Sequence, residues 1–262
     1  MGITERLFKT SKSSGKRKIV AIGGGEIIRD GIMGETMAVD KEIIRLSGKI
    51  IPKLLFIPTA SHDAVGYCNN ILAYYGTELG CDVDFLLLYS ESDPKVIKDK
   101  ILSADIVYVG GGNTYAMMRR WRAFGVDKLL TEAADNGTVM SGLSAGSICW
   151  FRYGSSSSRK QVNPNAPLIK VSGLGWMNAV MCPHYDSEED RRSHIKELMK
   201  KTPGFAFGVD DCCAIEIIGN EFRILSSKES ANAYLIYWKD GTYHEKKLPK
   251  TKEFIRLGNL VI

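Results

Sequence analysis

The stretch Gly142-Leu143-Ser144-Ala145-Gly146 lies between two apolar runs, Thr138-Val139-Met140 and Ile148-Cys149-Trp150-Phe151. This pattern predicts a strand that turns sharply into a helix, with Ser144 at the apex and glycines where a Cβ would be crowded. A hydroxyl at such an apex can attack a carbonyl carbon while amides of the helix N-terminus stabilise the oxyanion. The alternative is a glycine-flanked turn with a capping serine, which one match to this pattern does not exclude.

A nucleophilic serine needs a histidine base, and the positions of the acidic residues restrict the choice. No Asp or Glu occurs between residues 145 and 183. The chain order of α/β-hydrolases, serine then acid then histidine, therefore excludes His184 and leaves Ser144, Asp211 and His244. His184 becomes the better base if the acid follows it in the chain.

The local sequence around each histidine favours His184. His244 follows Asp240-Gly241 between two β-rich runs, a pattern typical of a solvated hairpin. His184 ends the apolar run Val180-Met181-Cys182-Pro183, and the C-terminal ends of strands are where functional groups collect in open α/β sheets. The alternative is a histidine that merely ends a strand.

Apolar β-rich runs alternate with helical stretches over the first part of the chain. The helical stretches include Asp63 to Leu79 and Thr114 to Asn136. The predicted strands are Lys18 to Ile22, Leu54 to Pro58, Val83 to Tyr89, Ile106 to Val109 and Thr138 to Leu143. This alternation predicts an α/β fold, a doubly wound and mostly parallel sheet with helices on both faces.

The pattern changes after His184. Asp190 to Lys200 has the periodicity of a helix, and beyond Gly208 short strands are separated by turns at Gly219-Asn220 and Asp240-Gly241. We expect an antiparallel C-terminal extension of the same domain. Because no linker or repeat interrupts the chain, residues 18–262 are predicted to form a single domain.

Composition and charge limit the class of protein. Of the 262 residues, 44% are hydrophobic and 25% are charged, which suits one large α/β domain. The net charge is +5, and much of the basic excess lies in residues 1–17, predicted to be a flexible tail. That tail lacks interleaved aromatic residues, and the chain has no long apolar run. We therefore expect no nucleic-acid partner, no membrane association and a cytoplasmic location.

The cysteines indicate buried thiols in a reducing compartment, because they lie mostly inside apolar runs and form no C-x-x-C pair. A zinc site at Cys182, His184 and Cys212 would lack the ligand spacing typical of such sites. We predict no metal and no cofactor.

Several glycine and histidine motifs together resemble a known family. They are Gly110-Gly111-Gly112-Asn113, Gly142 to Gly146, Cys182-Pro183-His184-Tyr185-Asp186 and Gly208-Val209-Asp210-Asp211. In this order they resemble the dipeptidase E and cyanophycinase family of serine peptidases, from Lys18 to about Leu235. The resemblance implies a fold like that of class I glutamine amidotransferases, hydrolysis through an acyl-enzyme and, in the dipeptidase branch, a preference for peptides with an N-terminal aspartyl residue.

The resemblance also implies roles for individual residues. Ser144 matches the nucleophile and His184 the general base, which removes the hydroxyl proton and then protonates the leaving amine. Backbone N–H groups of Ala145 and of the Gly110–Gly112 turn, with Gly112 preferred, match the oxyanion hole.

The acid that orients the histidine is less well defined by the resemblance. Some members of the family place an acid between the nucleophile and the histidine, where this chain has none. Asp211 matches a Glu that the family often has, whereas Asp186 lies in a His-x-acid pattern like that of glutamine amidotransferases. We favour Asp211 and keep Asp186 as the alternative; Asp210 should point to the opposite side if the segment is extended.

Substrate binding is assigned to Arg191 and Asn113. Arg191 resembles an arginine that aspartyl dipeptidases use against the substrate carboxylate, and a guanidinium suits bidentate recognition of that group. The alternative is a solvated ion pair at a helix end, since Glu188 and Glu189 precede it.

Two other classes of function remain open alongside the peptidase. One is a non-catalytic binding protein on the same scaffold, favoured by the missing acid before His184. The other is a glutamine amidotransferase-like protein, disfavoured because Ser144 stands where a cysteine would be needed. The expected partner is a small peptide substrate. The sequence leaves open whether the protein is a monomer or a homo-oligomer.

Overall fold

The computed structural model describes residues 16–29 and 32–260, so most of the predicted N-terminal tail lies outside the described residues. The strands are β1 (Lys18–Ile22), β2 (Ile28–Arg29), β3 (Ile32–Met33), β4 (Lys53–Ile57), β5 (Asp82–Phe85), β6 (Ile106–Val109), β7 (Val139–Leu143), β8 (Phe151–Ser156), β9 (Ile169–Ser172), β10 (Met177–Cys182), β11 (Phe205–Val209), β12 (Cys213–Ile218), β13 (Glu221–Ser226), β14 (Ala233–Lys239), β15 (Thr242–Lys247) and β16 (Ile255–Arg256). The α-helices are α1 (Met37–Ser47), α2 (Val65–Ile71), α3 (Pro94–Ser103), α4 (Thr114–Phe124), α5 (Val126–Asp135), α6 (Ala145–Ile148) and α7 (Arg191–Lys200), and a π-helix at Leu72–Glu78 continues α2.

The larger sheet has the strand order β16-β13-β12-β1-β7-β6-β4-β5. In this sheet β1, β7, β6, β4 and β5 are parallel to one another. On the other side of β1, each of β12, β13 and β16 is antiparallel to the strand before it in the order outward from β1. This arrangement confirms the predicted fold class, a mostly parallel α/β sheet with an antiparallel C-terminal extension. Strand pairing therefore changes at β1, which has a parallel neighbour on one side and an antiparallel neighbour on the other.

A second sheet, with the order β15-β14-β11-β10-β8-β9, was not expected from the sequence. Its central strands β8, β10 and β11 are parallel, and β9, β14 and β15 add antiparallel edges. The apolar runs that form it look like those of the larger sheet. Periodicity shows that a strand is buried but not which partner it pairs with.

The larger sheet is covered on both faces, which explains its near-continuous apolar strands. Along β1, Ile19 and Ala21 pack into a core shared with α3, α4, α5 and the second sheet, whereas Val20 and Ile22 pack with α1 and α2. Successive side chains point to opposite faces of a strand, so one strand contributes to both cores.

Two predicted elements differ from the observed ones by more than a residue or two at an end. The helical stretch expected over Thr114 to Asn136 is two helices, because Gly125 takes a left-handed conformation with φ of 69° and donates its N–H to the Trp121 carbonyl. The strand expected to continue to Tyr89 ends at Phe85. None of the helices in the described ranges is long and apolar enough to cross a lipid bilayer.

A buried carboxylate, Asp40, joins α1 to the helical segment that follows β4. It accepts hydrogen bonds from the hydroxyls of Thr36 at 2.8 Å, Tyr74 at 2.9 Å and Tyr75 at 2.7 Å. Burial raises the pKa of Asp40 to about 6, although these three hydroxyls favour the ionised form. The folded protein thus holds a proton on Asp40 more tightly than the unfolded chain does.

We predict that Asp40 makes stability depend on pH. The contribution of Asp40 to the free energy of unfolding is fully present below about pH 4 and is lost as the pH rises through about 6. Between these pH values the unfolded chain ionises Asp40 readily, whereas the folded protein resists its ionisation. Between pH 4 and pH 7 the free energy of unfolding of the wild type should therefore fall by about 2 kcal/mol relative to that of Asp40→Asn. Urea titrations of both proteins measure this difference. Asp84→Asn, at an exposed site, should keep the wild-type pH slope; equal slopes for the wild type and Asp40→Asn would contradict the prediction.

Candidate active site

Ser144 occupies the sharp turn that the sequence predicts. It lies between β7 and the short helix α6, with φ of 56° and ψ of −109°, a conformation that a residue with a side chain rarely adopts. A Cβ on Gly146 would lie 2.1 Å from the Val109 carbonyl oxygen, and one on Gly142 would lie 2.5 Å from the Gly146 carbonyl oxygen. The flanking glycines are therefore required for close backbone packing under the turn.

The structure brings Ser144, His184 and Asp211 into one hydrogen-bonded chain. His184 Nε2 lies 2.8 Å from Ser144 Oγ, and His184 Nδ1 lies 2.7 Å from Asp211 Oδ1. Asp186, the alternative acid, instead accepts the Asp211 backbone N–H at 2.9 Å. His244 lies in the β14–β15 hairpin and stacks on Tyr237.

Three consecutive carbonyls, of the last residue of β1 and the two residues that follow it, hold the backbone of this site. The Ile22 carbonyl accepts the N–H of Ser144 at 3.1 Å, and the Gly23 carbonyl accepts the N–H of His184 at 3.3 Å. The Gly24 carbonyl accepts the N–H of Cys212, next to the acid, at 2.8 Å. Groups from three distant parts of the chain are thus aligned along one short segment.

Gly24 is a site residue that the sequence analysis missed. A Cβ at this position would lie 1.8 Å from Asp211 Oδ1 and 2.5 Å from His184 Nδ1, so the histidine–aspartate contact occupies the space of a side chain. The run Gly23-Gly24-Gly25 after a predicted strand was the available signal. Glycine repeats at strand ends often mark a close approach of another group.

The two adjacent aspartates differ in electrostatic environment. Burial opposes ionisation of Asp211, but the hydrogen bond and charge of His184 outweigh it and lower the pKa of Asp211. Burial raises the pKa of Asp210 to about 6, and its Oδ2 accepts the Asn232 N–H at 2.8 Å. Asp211 therefore remains an anion that can stabilise a protonated imidazole, while the Asp210 carboxylate contacts the Asn232 backbone.

Backbone N–H groups meet the candidate serine from two sides. Ala145 opens α6, so its N–H has no acceptor within the helix. In the glycine turn after β6, Gly111 lines the same cavity as Ser144 and donates its N–H to the Tyr67 hydroxyl at 3.3 Å. Gly112 has φ of 134°, and its Cα lies against the Ala60 carbonyl, where a Cβ would be 2.3 Å from the oxygen.

A cavity of about 560 Å³ opens in front of Ser144 and His184. Its wall carries several carboxylates, namely Glu26, Glu35, Glu188 and Asp211. Two of them have cationic partners: Glu35 pairs with Lys228 at 2.8 Å, and Glu188 pairs with Arg191 at 2.9 Å. For the Glu26 carboxylate, the described residues include no such partner.

The predicted substrate-binding residues lie beside this cavity rather than in the described part of its wall. The side chain of Arg191 is 1% exposed, and its Nη1 donates to the Ser155 carbonyl at 2.6 Å. Asn113 caps α4, accepting the Ala116 N–H at 2.9 Å, and its amide donates to the Ser158 carbonyl at 3.4 Å. Their role in substrate binding stays a prediction.

The described residues contain no group of three or more His, Cys, Asp or Glu side chains placed to hold a metal ion. The six cysteines are free thiols buried in the protein. Burial raises the pKa of Cys182 to about 11 and that of Cys213 to about 12, so these thiols stay protonated at neutral pH.

Gly24→Ala should disable the site without unfolding the protein, because the new methyl group would displace Asp211 and His184. Misplacement of reacting groups by about 1 Å can lower a rate roughly 10²-fold, so labelling of Ser144 by a fluorophosphonate should slow at least that much. The control is Gly66→Ala, since nothing lies within 4 Å of a Cβ there. Wild-type labelling of a folded Gly24→Ala protein would contradict the proposed geometry.

The chain is similar to several proteins that are named as peptidases. The chain is 32% identical over 235 residues to the uncharacterized peptidase YgaJ of Bacillus subtilis (strain 168), covering 89% of this chain and 97% of that protein. It is 24% identical over 199 residues to Peptidase E of Nostoc sp. (strain PCC 7120), covering 72% and 78% respectively. A crystal structure of a peptidase from an acI-B1 Actinobacterium shares the fold with a TM-score of 0.70 at 17% identity, over 93% of this chain and 98% of that one.

The family comparison covers most of the chain. The model of Peptidase family S51 matches residues 18–225, which include Ser144, His184 and Asp211. The resemblance to the dipeptidase E family, inferred from the motifs, is thereby confirmed. The chain belongs to Peptidase family S51.

Proposed function

We propose that this peptidase is of the serine type and hydrolyses small peptides through an acyl-enzyme on Ser144. The observation that carries the proposal is the chain of contacts from Asp211 through His184 to Ser144 at a strained turn. These are the contacts that a histidine needs to remove the serine proton and to be oriented while it does so.

The reaction follows from these contacts in two displacements. Ser144 Oγ attacks the peptide carbonyl carbon, and its proton passes to His184 Nε2, while ionised Asp211 stabilises the imidazolium. The imidazolium then protonates the departing amine, leaving an ester on Ser144. Water attacks that ester with the same base assistance, which releases the carboxylic acid and restores the serine hydroxyl.

The first backbone amide of α6 supports this chemistry. Negative charge that develops on the substrate carbonyl oxygen would meet the Ala145 N–H at the positive end of the short helix. Gly112 is the second donor that the family resemblance implies, and its turn borders the same cavity through Gly111. Preorganised amides favour the tetrahedral state over the ground state.

The charge of the cavity supports a small substrate with a free amino terminus. Glu26 has no cationic partner among the residues that the structure describes, and it shares the cavity with Ser144. A carboxylate there would attract the ammonium group of a peptide. The volume of about 560 Å³ accommodates a short peptide.

The alternatives of a binding protein and an amidotransferase-like protein have less support. The absence of an acid between Ser144 and His184 favoured a non-catalytic protein, but Asp211 supplies a carboxylate from after the histidine. An amidotransferase would need a cysteine at the turn, whereas this chain has Ser144.

A set of site variants tests the serine mechanism. Ser144→Ala should abolish hydrolysis and fluorophosphonate labelling with the fold retained, because only the attacking oxygen is lost. Asp211→Asn should lower kcat roughly 10²- to 10⁴-fold, as loss of the orienting carboxylate does in serine triads. Asp186→Asn should be milder, since its amide oxygen can still accept the Asp211 N–H. Peptide hydrolysis by purified Ser144→Ala would exclude the mechanism, and a larger effect of Asp186→Asn would transfer the orienting role.

The aspartyl preference that the resemblance implies is tested separately. If Arg191 holds a substrate carboxylate, Asp-X dipeptides should be cleaved with a kcat/KM roughly 10- to 150-fold above that of Asn-X, because Asn-X lacks one charge-assisted hydrogen bond. Arg191→Met should erase this ratio and leave Ser144 labelling unchanged, while Arg192→Met, at a more exposed neighbour, serves as the control. Equal cleavage of both dipeptides, or cleavage of another small peptide alone, would show that the preference is absent.

A further inference from the structure

Tyr67 is held firmly against the glycine turn that borders Ser144. It lies in the first turn of α2, and its ring packs edge-on against buried Phe56 with centroids 4.9 Å apart. A Cβ on Gly110 would lie 2.9 Å from Tyr67 Cε1, so the ring rests directly on the glycine backbone. These contacts fix the ring, and Tyr67 lines the cavity that contains Ser144, as does Gly111, whose N–H meets the Tyr67 hydroxyl.

The hydrogen bonding of this hydroxyl is unusual for a structural tyrosine. Its oxygen accepts the Gly111 N–H at 3.3 Å. No acceptor for its own proton is present among the residues that the structure describes. A Cβ on Gly111 would lie 3.5 Å from Ser144 Cβ, so the amide that Tyr67 engages is next to the serine.

We propose that Tyr67 is a further catalytic residue, whose O–H donates a hydrogen bond to the substrate carbonyl oxygen as that oxygen becomes an anion on attack by Ser144. The proposal rests on the serine mechanism proposed above. Gly111 N–H, Tyr67 O–H and the oxyanion would then form one chain of hydrogen bonds, in which each donor polarises the next. The Gly111 amide thus acts through the tyrosine rather than directly.

The environment of Tyr67 suits this role. Burial raises the pKa of the Tyr67 hydroxyl to about 12, although the Gly111 N–H opposes this shift, so the phenol stays protonated at neutral pH. Because Phe56 and Gly110 already fix the ring, little reorganisation is needed when charge develops on the substrate. Proton transfer is not required; the tyrosine only donates a hydrogen bond.

The competing possibility is that Tyr67 merely covers the Gly111 amide. In that case removal of the hydroxyl would free the N–H for the substrate and would leave the rate unchanged or raise it. The two possibilities therefore predict opposite signs for the same substitution, Tyr67→Phe, which keeps the ring and its packing.

The experiment compares Tyr67→Phe with the wild type and with Tyr115→Phe, a control at a half-exposed tyrosine. For Tyr67→Phe we expect kcat to fall roughly 10- to 100-fold, with KM within about 2-fold of the wild-type value. The expected fall in kcat is no larger than the usual loss for one oxyanion donor, because the Gly111 amide becomes available to the substrate oxygen. The affinity for a peptide boronic acid, whose tetrahedral adduct carries an oxygen in the same place, should fall by a similar factor. In a Ser144→Ala background, Tyr67→Phe should leave the affinity for the uncleaved peptide unchanged.

Each other outcome counts against the inference. An unchanged or increased kcat, or an equal affinity for the boronic acid, would show that Tyr67 does not donate to the oxyanion. A change confined to KM and to ground-state affinity would make it a binding residue. If the wild type itself reacts with neither the boronic acid nor a fluorophosphonate, the serine mechanism fails instead, so the two failures are distinguishable.

Discussion

The site depends on one short segment of backbone, the last residue of β1 and the two glycines that follow it. The carbonyls of Ile22, Gly23 and Gly24 accept the N–H groups of Ser144, His184 and Cys212 in succession, and each accepting residue holds a different loop. The spacing of adjacent carbonyls along an extended chain is fixed by covalent geometry, so the three loops cannot shift independently. The hydrogen-bonded chain from Asp211 to Ser144 follows from this alignment, and Gly24 leaves room for it because it has no side chain.

The position of β1 in the fold explains why the segment can have this role. It lies between parallel β7, which leads to the serine, and antiparallel β12, which follows the acid. The histidine comes from the end of β10 in the second sheet. The candidate triad therefore stands where the two sheets meet. Ser144 and His184 both have positive φ values, 56° and 52°, and the surrounding hydrogen bonds hold them in these uncommon conformations.

The electrostatics of the cavity set requirements for a substrate. Carboxylates line it, and the nearby guanidinium of Arg191 is directed into the protein, toward Ser155 and Glu188. A substrate carboxylate would have to compete with Glu188 for that guanidinium, whereas an ammonium group would find acidic side chains already in place. Membership of the S51 family establishes a peptidase, whereas the charges that a substrate meets are set by the side chains that line this cavity.

The sequence by itself determined the α/β class and the sharp turn at Ser144, because glycine spacing and apolar periodicity are local properties of the chain. It favoured His184 as the candidate base, because this histidine follows an apolar run that ends a strand. It also favoured Asp211 over Asp186 through the family resemblance, and the structure places Asp211 against the histidine. Only the tertiary structure decided that the strands form two sheets, that Arg191 is buried, and that Gly24 and Tyr67 adjoin the site. These features depend on contacts between residues far apart in the chain, and a local pattern of residue types does not specify which distant segments will pack together.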